Sequence, residues 1–128
     1  MSTETSSEID ERAYRLGRAL GRGGSSWVWE AEAVLDARAV VVKRLDARDA
    51  SIGRMYRSEL AALRALRHPS IVELIDYGEA DGELYLVLER VDGVDLERAL
   101  TGGPLAPAMA LALVLDAASA LAHAHEAR

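Results

Sequence analysis

The only lysine of this chain follows a run of three valines. Lys43 comes directly after Val40-Val41-Val42, and every other one of the 15 basic side chains is arginine. Consecutive β-branched residues favour a buried strand. Lysine carries a compact point charge, whereas arginine is a wide planar fork, so lysine suits a narrow site with one charge beside a phosphate. The run predicts a strand that carries an ammonium group into such a site, although chance placement explains a single lysine equally well.

The segments around Lys43 predict an α+β fold, because strand-like and helix-like periods alternate along the chain. Strands are predicted over Tyr14–Leu20, Trp27–Ala31, Arg38–Leu45, Ile71–Tyr77 and Leu84–Val91, and helices over Ser51–Leu66, Asp95–Leu100 and Pro107–Glu126. Glycine-rich turns are predicted at Gly21–Ser26 and at Gly78–Gly82. The order is three strands, a helix, two strands and then helices.

One carboxylate of the first long helix lies among apolar residues. On a wheel of ~100° per residue, Glu59 has four apolar residues within ~40° of it: Ile52, Met55, Leu63 and Leu66. A carboxylate in an apolar stripe is costly unless it meets a cation. The pattern therefore predicts an ion pair between Glu59 and Lys43, located between the sheet and this helix.

Composition excludes several classes of function. The net charge of −6 in 128 residues argues against a nucleic-acid partner, which needs a basic face. The absence of cysteine excludes disulfides and zinc–thiolate sites and fits a cytoplasmic protein. Residues 1–12 are polar and are predicted to be a disordered leader. The apolar segment 108–125 is nearly half alanine and contains Asp116, His123 and His125, so a buried helix is predicted there rather than a membrane span.

The first turn has the spacing of a phosphate-binding loop. It reads Gly21-x-Gly23-x-x-Ser26-x-Val28 and lies between two predicted strands. Glycines let backbone N–H groups approach phosphate oxygens, because no Cβ atom stands in the way. By itself this motif is weak, and an ordinary hairpin turn explains it at least as well.

Five segments in order resemble one family. Leu20–Ala31 resembles the nucleotide loop of protein kinases, and Val40–Lys43 resembles their V-A-I-K strand. Ser58-Glu59 is similar to the inward face of their C helix, His68–Val72 to the H-P-N-I-V turn, and Leu84–Gly93 to the fifth strand and hinge. From about Tyr14 onward the chain thus resembles the amino-terminal lobe of bacterial serine/threonine kinases of eukaryotic type.

The resemblance implies a fold, a ligand and a set of site residues. The fold is a kinase-like amino-terminal lobe, with a five-stranded antiparallel sheet and a C helix, followed by the first helices of the carboxy-terminal lobe. The ligand is ATP. The implied catalytic residues are Lys43 and Glu59. The implied nucleotide contacts are Gly21, Gly23, Gly24 and Ser26 at the phosphates, Leu20, Val28 and Val41 above the adenine, Leu88 behind it, Glu89 and Val91 at its edge, and Asp95 near the ribose.

Two residues depart from the family pattern within this site. Ser26 replaces the third glycine of the loop, and Val41 replaces the usual alanine above the adenine ring. Two additional methyl groups are expected to crowd the adenine pocket, because overpacking typically costs ~1–3 kcal/mol. We therefore expect weak ATP binding.

The resemblance also predicts where the domains lie. Residues 13–91 are expected to form the nucleotide-binding lobe, and residues 92–128 the hinge and first helices of a lobe truncated before its catalytic loop. The sequence contains neither H-R-D-x-x-x-x-N nor D-F-G, which supply the family's base and magnesium ligands. The chain alone is therefore expected to be inactive, to need the missing lobe for Mg²⁺ and for its protein substrate, and to self-associate through the apolar helix 107–126. The alternative is a non-catalytic interaction module derived from a kinase.

Overall fold

The computed structural model describes residues 13–23, 26–46, 48–80 and 82–127. The predicted leader and Gly24 lie outside these ranges. The strands are β1 (Tyr14–Gly23), β2 (Ser26–Ala33), β3 (Ala39–Asp46), β4 (Leu74–Ala80) and β5 (Glu83–Glu89). The helices are α1 (Ala50–Ala65), α2 (Leu96–Leu100) and α3 (Pro107–Glu126). The predicted order of elements is confirmed.

The five strands form one sheet in the order β1-β2-β3-β5-β4, with every neighbouring pair antiparallel. β3 therefore lies in the middle of the sheet, where both of its edges are paired. The predicted fold class, a five-stranded antiparallel sheet with a helix after the third strand, is confirmed. The middle position also explains the valine run, because a strand paired on both sides is buried and accommodates β-branched side chains well.

Alternating residues send side chains to the two faces of the sheet. One face packs Tyr14, Ala31, Val40, Val42 and Val87 into a core, and Leu16, Ala33, Ile75 and Tyr85 border it. The opposite face packs Leu45, Leu84 and Leu86 against Ile52 and Tyr56 of α1. We call this opposite face the α1 face. Lys43 alternates with the buried Val42, so its side chain projects to the α1 face.

The sheet is curved enough for its two edge strands to be bridged. The Tyr14 hydroxyl of β1 donates to Asp76 Oδ2 of β4 at 2.7 Å, although three strands separate them in the sheet order. Burial is the main cause that raises the pKa of Tyr14 above its usual value, and the Asp76 carboxylate raises it further. The bond closes the core of the face opposite α1.

The buried stripe of α1 differs from the predicted one. Its buried residues are Ile52, Gly53 and Tyr56, whereas Met55 is exposed. On a wheel of ~100° per residue, Tyr56 lies ~60° from Glu59 and Met55 lies ~40° away on the other side. The prediction placed Glu59 at the centre of the stripe, but the structure places it at the edge. A tyrosine can occupy the centre because its ring is apolar and its hydroxyl donates to backbone carbonyls of the sheet.

Three segment boundaries also differ from the predictions. β1 continues through Gly21 to Gly23, which pairs with Ser26, so the predicted turn begins later than expected. β4 begins at Leu74 rather than Ile71. The predicted Gly78–Gly82 turn is mostly strand, because Gly78 and Ala80 pair with Tyr85 and Glu83. At Gly21–Gly23 and at Gly78, cross-strand pairing draws glycines into the sheet, which local propensity disfavours.

The chain divides into two compact units. The first contains the chain up to Arg64 together with Glu73–Arg90, and the second contains Ala65–Val72 and Val91–Arg128. In the second unit, the Asp95 carboxylate caps α2 by accepting from the Arg98 backbone N–H at 2.7 Å. The segment before β4 contacts α3, where His123 Nε2 accepts from the Arg67 N–H at 3.2 Å and the His68 ring bonds Ser119 Oγ at 2.9 Å.

The prediction that α3 is a buried helix is wrong for the described chain. None of its residues is buried, and its six largest apolar side chains are between 43% and 64% exposed: Met109, Leu111, Leu113, Val114, Leu115 and Leu121. The physical reason is that the described second unit offers only five-residue α2 and one short segment as neighbours. Among the described residues, α3 is the one helix long and apolar enough to cross a membrane by length and composition, a test that core helices of soluble proteins also pass.

Candidate nucleotide-binding site

Lys43 lies on β3, the central strand of the sheet. It faces Val28 of β2 on one side and Leu86 of β5 on the other. Val42 and Leu86 are fully buried, so the backbone that carries Lys43 is fixed by the core of both faces. The Lys43 side chain is 27% exposed, which leaves its ammonium group accessible to a ligand.

Glu59 of α1 meets this ammonium group with both carboxylate oxygens. Lys43 Nζ is 3.1 Å from Oε1 and 3.3 Å from Oε2 of Glu59. The predicted ion pair is therefore present in the structure. The Glu59 side chain is 36% exposed, so the pair lies at the border of the α1 face rather than in its core. A carboxylate with this geometry restricts where the lysine ammonium can go, because it accepts from the same donor through two oxygens.

The glycine residues lie at the end of β1, across the sheet from Lys43. Gly21 pairs with Val28, which in turn pairs with Lys43. A Cβ atom built on Gly21 would have nothing within 4 Å among the described residues. The backbone of β1 is therefore approachable at Gly21. Gly23 pairs with the buried Ser26, and Gly24 lies outside the described residues.

Three of the apolar residues predicted around the adenine, Val28, Val41 and Leu88, share the α1 face with Lys43. Val41 lies directly opposite Leu88 in the β3–β5 ladder, two residues from Lys43 on the same strand. Val28 is on β2 beside Lys43, and Leu20 on β1 is 46% exposed. Val28, Val41 and Leu88 thus form a half-buried apolar strip next to the ion pair. These three side chains are neighbours in the structure, and their contact with a base stays a prediction.

The predicted hinge residues belong to both units. Glu89 ends β5, and its backbone N–H donates to the Glu73 carbonyl at 3.0 Å. Because that donor is used, the group that Glu89 can offer to a ligand is its carbonyl oxygen. Val91 and Asp95 belong to the second unit, where Val91 is exposed and Asp95 caps α2. The proposed ribose contact of Asp95 stays a prediction, beside the capping role that the structure shows.

Sequence reasoning missed two features around the site. Glu30 of β2 accepts from Arg18 at 3.3 Å and from Arg90 at 2.9 Å, so one carboxylate joins β1, β2 and the end of β5. The signal for this cluster was the alternation along β2, which places Glu30 on the same face as Val28. The second feature is the buried hydroxyl of Tyr56, whose signal was its position one helical turn before Glu59.

The tryptophans do not contribute to this strip. Trp27 and Trp29 stack with ring centroids 5.8 Å apart, and Arg44 lies over the Trp29 ring. They alternate with Val28, so they occupy the opposite face. Among the described residues there is no group of three or more histidine, aspartate or glutamate side chains that could hold a metal ion.

The architecture is that of the amino-terminal lobe of protein kinases, with a lysine of the third strand paired to a glutamate of the helix that follows it. The chain belongs to the protein kinase domain family, whose model matches residues 14–128. This match covers both units of the structure.

Curated relatives of this chain are bacterial serine/threonine protein kinases. It is 39% identical over 117 residues to serine/threonine-protein kinase PrkC of Bacillus subtilis, a match that covers 88% of this chain and 18% of that protein. It is 42% identical over 119 residues to serine/threonine-protein kinase PknE of Mycobacterium tuberculosis, covering 89% of this chain and 21% of PknE. The chain spans about a fifth of the length of the curated relatives it matches.

Proposed function

We propose that this chain binds ATP and forms the nucleotide-binding part of a serine/threonine protein kinase. The observation that supports this most directly is the Lys43–Glu59 pair, which lies beside the apolar strip of Val28, Val41 and Leu88. Family membership and the names of the relatives add to it. The complete protein would transfer a phosphoryl group from ATP to serine or threonine hydroxyls of a protein substrate.

The described residues can bind and orient the nucleotide. Lys43 would donate to phosphate oxygens as a point charge, and Glu59 would hold its ammonium group in place between contacts. Gly21 would let the β1 backbone approach a phosphate, since the space beside its Cα is open. Val28, Val41 and Leu88 would pack against the base, and the Glu89 carbonyl would accept from its edge. These contacts fix the ligand's position, which is a large part of phosphoryl-transfer catalysis.

The transfer step needs groups that these 128 residues do not contain. The sequence has no H-R-D-x-x-x-x-N and no D-F-G motif, which in this family carry the base and the magnesium ligands. When bound, Mg²⁺ would neutralise charge on the phosphates. We therefore expect that the 128-residue polypeptide binds ATP but transfers no label from ATP to a general protein substrate.

The proposal is tested by chemical labelling of Lys43. Because Lys43 is the only lysine, an acyl-phosphate derivative of ATP should acylate two amines, Lys43 and the amino terminus. Excess ATP should protect Lys43 but leave the amino terminus labelled. Half-protection is expected well above micromolar ATP, because one charge-assisted contact contributes ~1.5–3 kcal/mol, whereas a micromolar complex requires ~8 kcal/mol. A labelled Lys43 that ATP does not protect at any concentration would refute the proposal.

Two glycine variants in β1 supply a matched control. Gly21→Ala adds a methyl group where nothing lies within 4 Å, so the fold should be retained while phosphate approach is hindered. Gly17→Ala adds the same methyl group at ordinary contact distance from the Glu30 carbonyl, away from the ion pair. ATP protection of Lys43 should weaken in the first variant and not in the second. Equal protection in both would show that the phosphates do not lie beside Gly21.

A second candidate function is a non-catalytic interaction module derived from a kinase. The exposed apolar side chains of α3 favour it, because large exposed apolar patches mark interaction surfaces. Its simplest form is self-association of the 128-residue polypeptide through residues 107–126. Light scattering should then show a dimer or larger species, and Leu115→Glu should reduce its mass. Ala112→Glu is the control, since residue 112 shares a helix face with Asp116. A monomer at high concentration would contradict this candidate.

A further inference from the structure

The hydroxyl of Tyr56 connects α1 to the hairpin formed by β4 and β5. Tyr56 is only 6% exposed, and its hydroxyl oxygen is 3.2 Å from the Gly78 carbonyl and 3.2 Å from the Tyr85 carbonyl. The single hydroxyl proton is donated to this pair of acceptors. Burial is the main cause that raises the pKa of the Tyr56 hydroxyl, so it keeps its proton and remains a donor.

The two carbonyl groups that accept from Tyr56 belong to a rigid part of the sheet. Gly78 and Tyr85 are cross-strand partners in the β4–β5 ladder. The Tyr85 ring covers Gly78 so closely that a Cβ atom at Gly78 would lie 2.5 Å from the Tyr85 hydroxyl oxygen. Both carbonyl groups are therefore held by backbone pairing and by a ring packed on the glycine. A helix bound to them is bound to the sheet and not to a mobile side chain.

Tyr56 and Glu59 lie one turn apart on α1, so they move together. Rotating α1 about its axis, or sliding it away from the sheet, would separate Glu59 from Lys43. The same motion would pull the Tyr56 hydroxyl from the Gly78 and Tyr85 carbonyls. Glu59 is at the edge of the buried stripe and Tyr56 is at its centre, so the tyrosine is the better placed of the two to fix the helix.

We propose that the Tyr56 hydroxyl is a positioning group that holds α1 where Glu59 pairs with Lys43. Its two described hydrogen bonds go to the Gly78 and Tyr85 carbonyls, so it acts on the ion pair through the orientation of the helix. The inference rests on the proposed function in one respect, namely that the Lys43–Glu59 pair serves to bind phosphate. The coupling itself, in which loss of the Tyr56 hydroxyl loosens the Lys43–Glu59 pair, does not depend on ATP.

The coupling can be measured without nucleotide. A small water-soluble acetylating reagent is applied to the chain, and the rate of acetylation of Lys43 is followed by mass spectrometry. An ammonium group bound to Glu59 must leave it before the amine can react, so loss of the pair should speed acetylation. Glu59→Gln gives the rate without the pair. Four chains are compared: the original sequence, Tyr56→Phe, Glu59→Gln and the double variant.

Tyr56→Phe keeps the buried ring and removes only the hydroxyl. Lys43 acetylation should rise about two- to fivefold in Glu59→Gln, in keeping with a partly exposed ion pair, and should approach that rate in Tyr56→Phe. The double variant should react no faster than Glu59→Gln alone, because both substitutions remove the same pair. Tyr77→Phe is the matched control. Residue 77 belongs to the same hairpin, and its ring contacts Arg64 of α1 without a hydroxyl bond to the helix among the described contacts. This variant should leave the rate unchanged.

A purely structural role for Tyr56 gives a different result. Tyr56→Phe would then lower the unfolding midpoint, followed by the fluorescence of Trp27 and Trp29, without changing the acetylation rate of Lys43. That outcome would overturn the proposal, as would a double variant whose rate is the product of the two single effects. Faster amide exchange in residues 50–65 of folded Tyr56→Phe would support it. A coupled acetylation rate in a chain that ATP does not protect would refute only the proposed function.

Discussion

The two units of this molecule differ in where their apolar residues lie. Every buried apolar residue among those described belongs to the first unit, in two layers on either side of the sheet. The second unit has a longer and more apolar helix, α3, yet none of its described side chains is buried. Apolar composition alone therefore does not produce a core, since a core also needs a second surface to pack against.

The predicted site residues are divided between the unit with a buried core and the unit without one. Lys43, Glu59, Gly21 and the strip of Val28, Val41 and Leu88 lie in the unit that has its own core. The geometry of Lys43 and Glu59 depends on β3, which places buried residues on both faces of the sheet, and on α1, which packs against one of these faces. Val91 and Asp95 lie in the unit without one. The phosphate-directed part of the proposed site is thus fixed by its own unit.

The largest effect on stability is expected for a substitution in the core of the first unit. Leu86→Ala removes a fully buried side chain from the layer between the sheet and α1, and should lower the free energy of unfolding by about 2–5 kcal/mol. Leu113→Ala makes the same substitution on α3, where the side chain is exposed, and should change it by less than about 0.5 kcal/mol. Urea unfolding measures both, followed by Trp27 and Trp29 fluorescence for the first unit and by far-ultraviolet circular dichroism for the helix of the second. Equal effects would mean that α3 is as well packed as the sheet.

Both units show how far local sequence patterns could predict the structure. The bounds of α3, Pro107–Glu126, were predicted correctly because proline at its start and a continuous apolar helix are strong local signals. Its burial was predicted wrongly, since burial depends on what the rest of the chain supplies. The ion pair was predicted correctly, because a carboxylate on an apolar stripe and a lone lysine constrain each other.

The residues that were missed depend on non-local contacts. Nothing in the helix period distinguishes Met55, which is exposed, from Tyr56, which is buried, because the sheet decides which side of α1 is covered. Gly21 was predicted to turn the chain, whereas pairing with Val28 keeps it in β1. The link between Tyr14 and Asp76 depends on the curvature of a five-stranded sheet, which no segment of the sequence encodes by itself.

An intermediate effect is expected at that link. Tyr14→Phe removes the donor to Asp76 and should lower the free energy of unfolding of the first unit by about 1.5–3 kcal/mol, the range for hydrogen bonds to charged groups. Because the folded-state pKa of Tyr14 is raised above 10.0, its contribution is complete below pH 10 and is lost as the pH rises further. The difference in stability between the two chains, measured by urea unfolding from pH 8 to 11, should therefore shrink at the alkaline end. A constant difference would contradict the linkage.

Within the first unit, the smallest of these effects on stability is expected at the ion pair itself. Glu59→Gln should change the free energy of unfolding by less than about 1 kcal/mol, because the Lys43 and Glu59 side chains are 27% and 36% exposed and water screens such pairs. The same urea experiment measures it, with Leu86→Ala as the reference for a core defect. A loss comparable to that of Leu86→Ala would show that the pair is part of the structural core. A small loss, together with weaker ATP protection of Lys43, would separate the two roles of the first unit. Its buried layers would then stabilise the fold, and the partly exposed pair at their border would position an ammonium group for phosphate at little cost in stability.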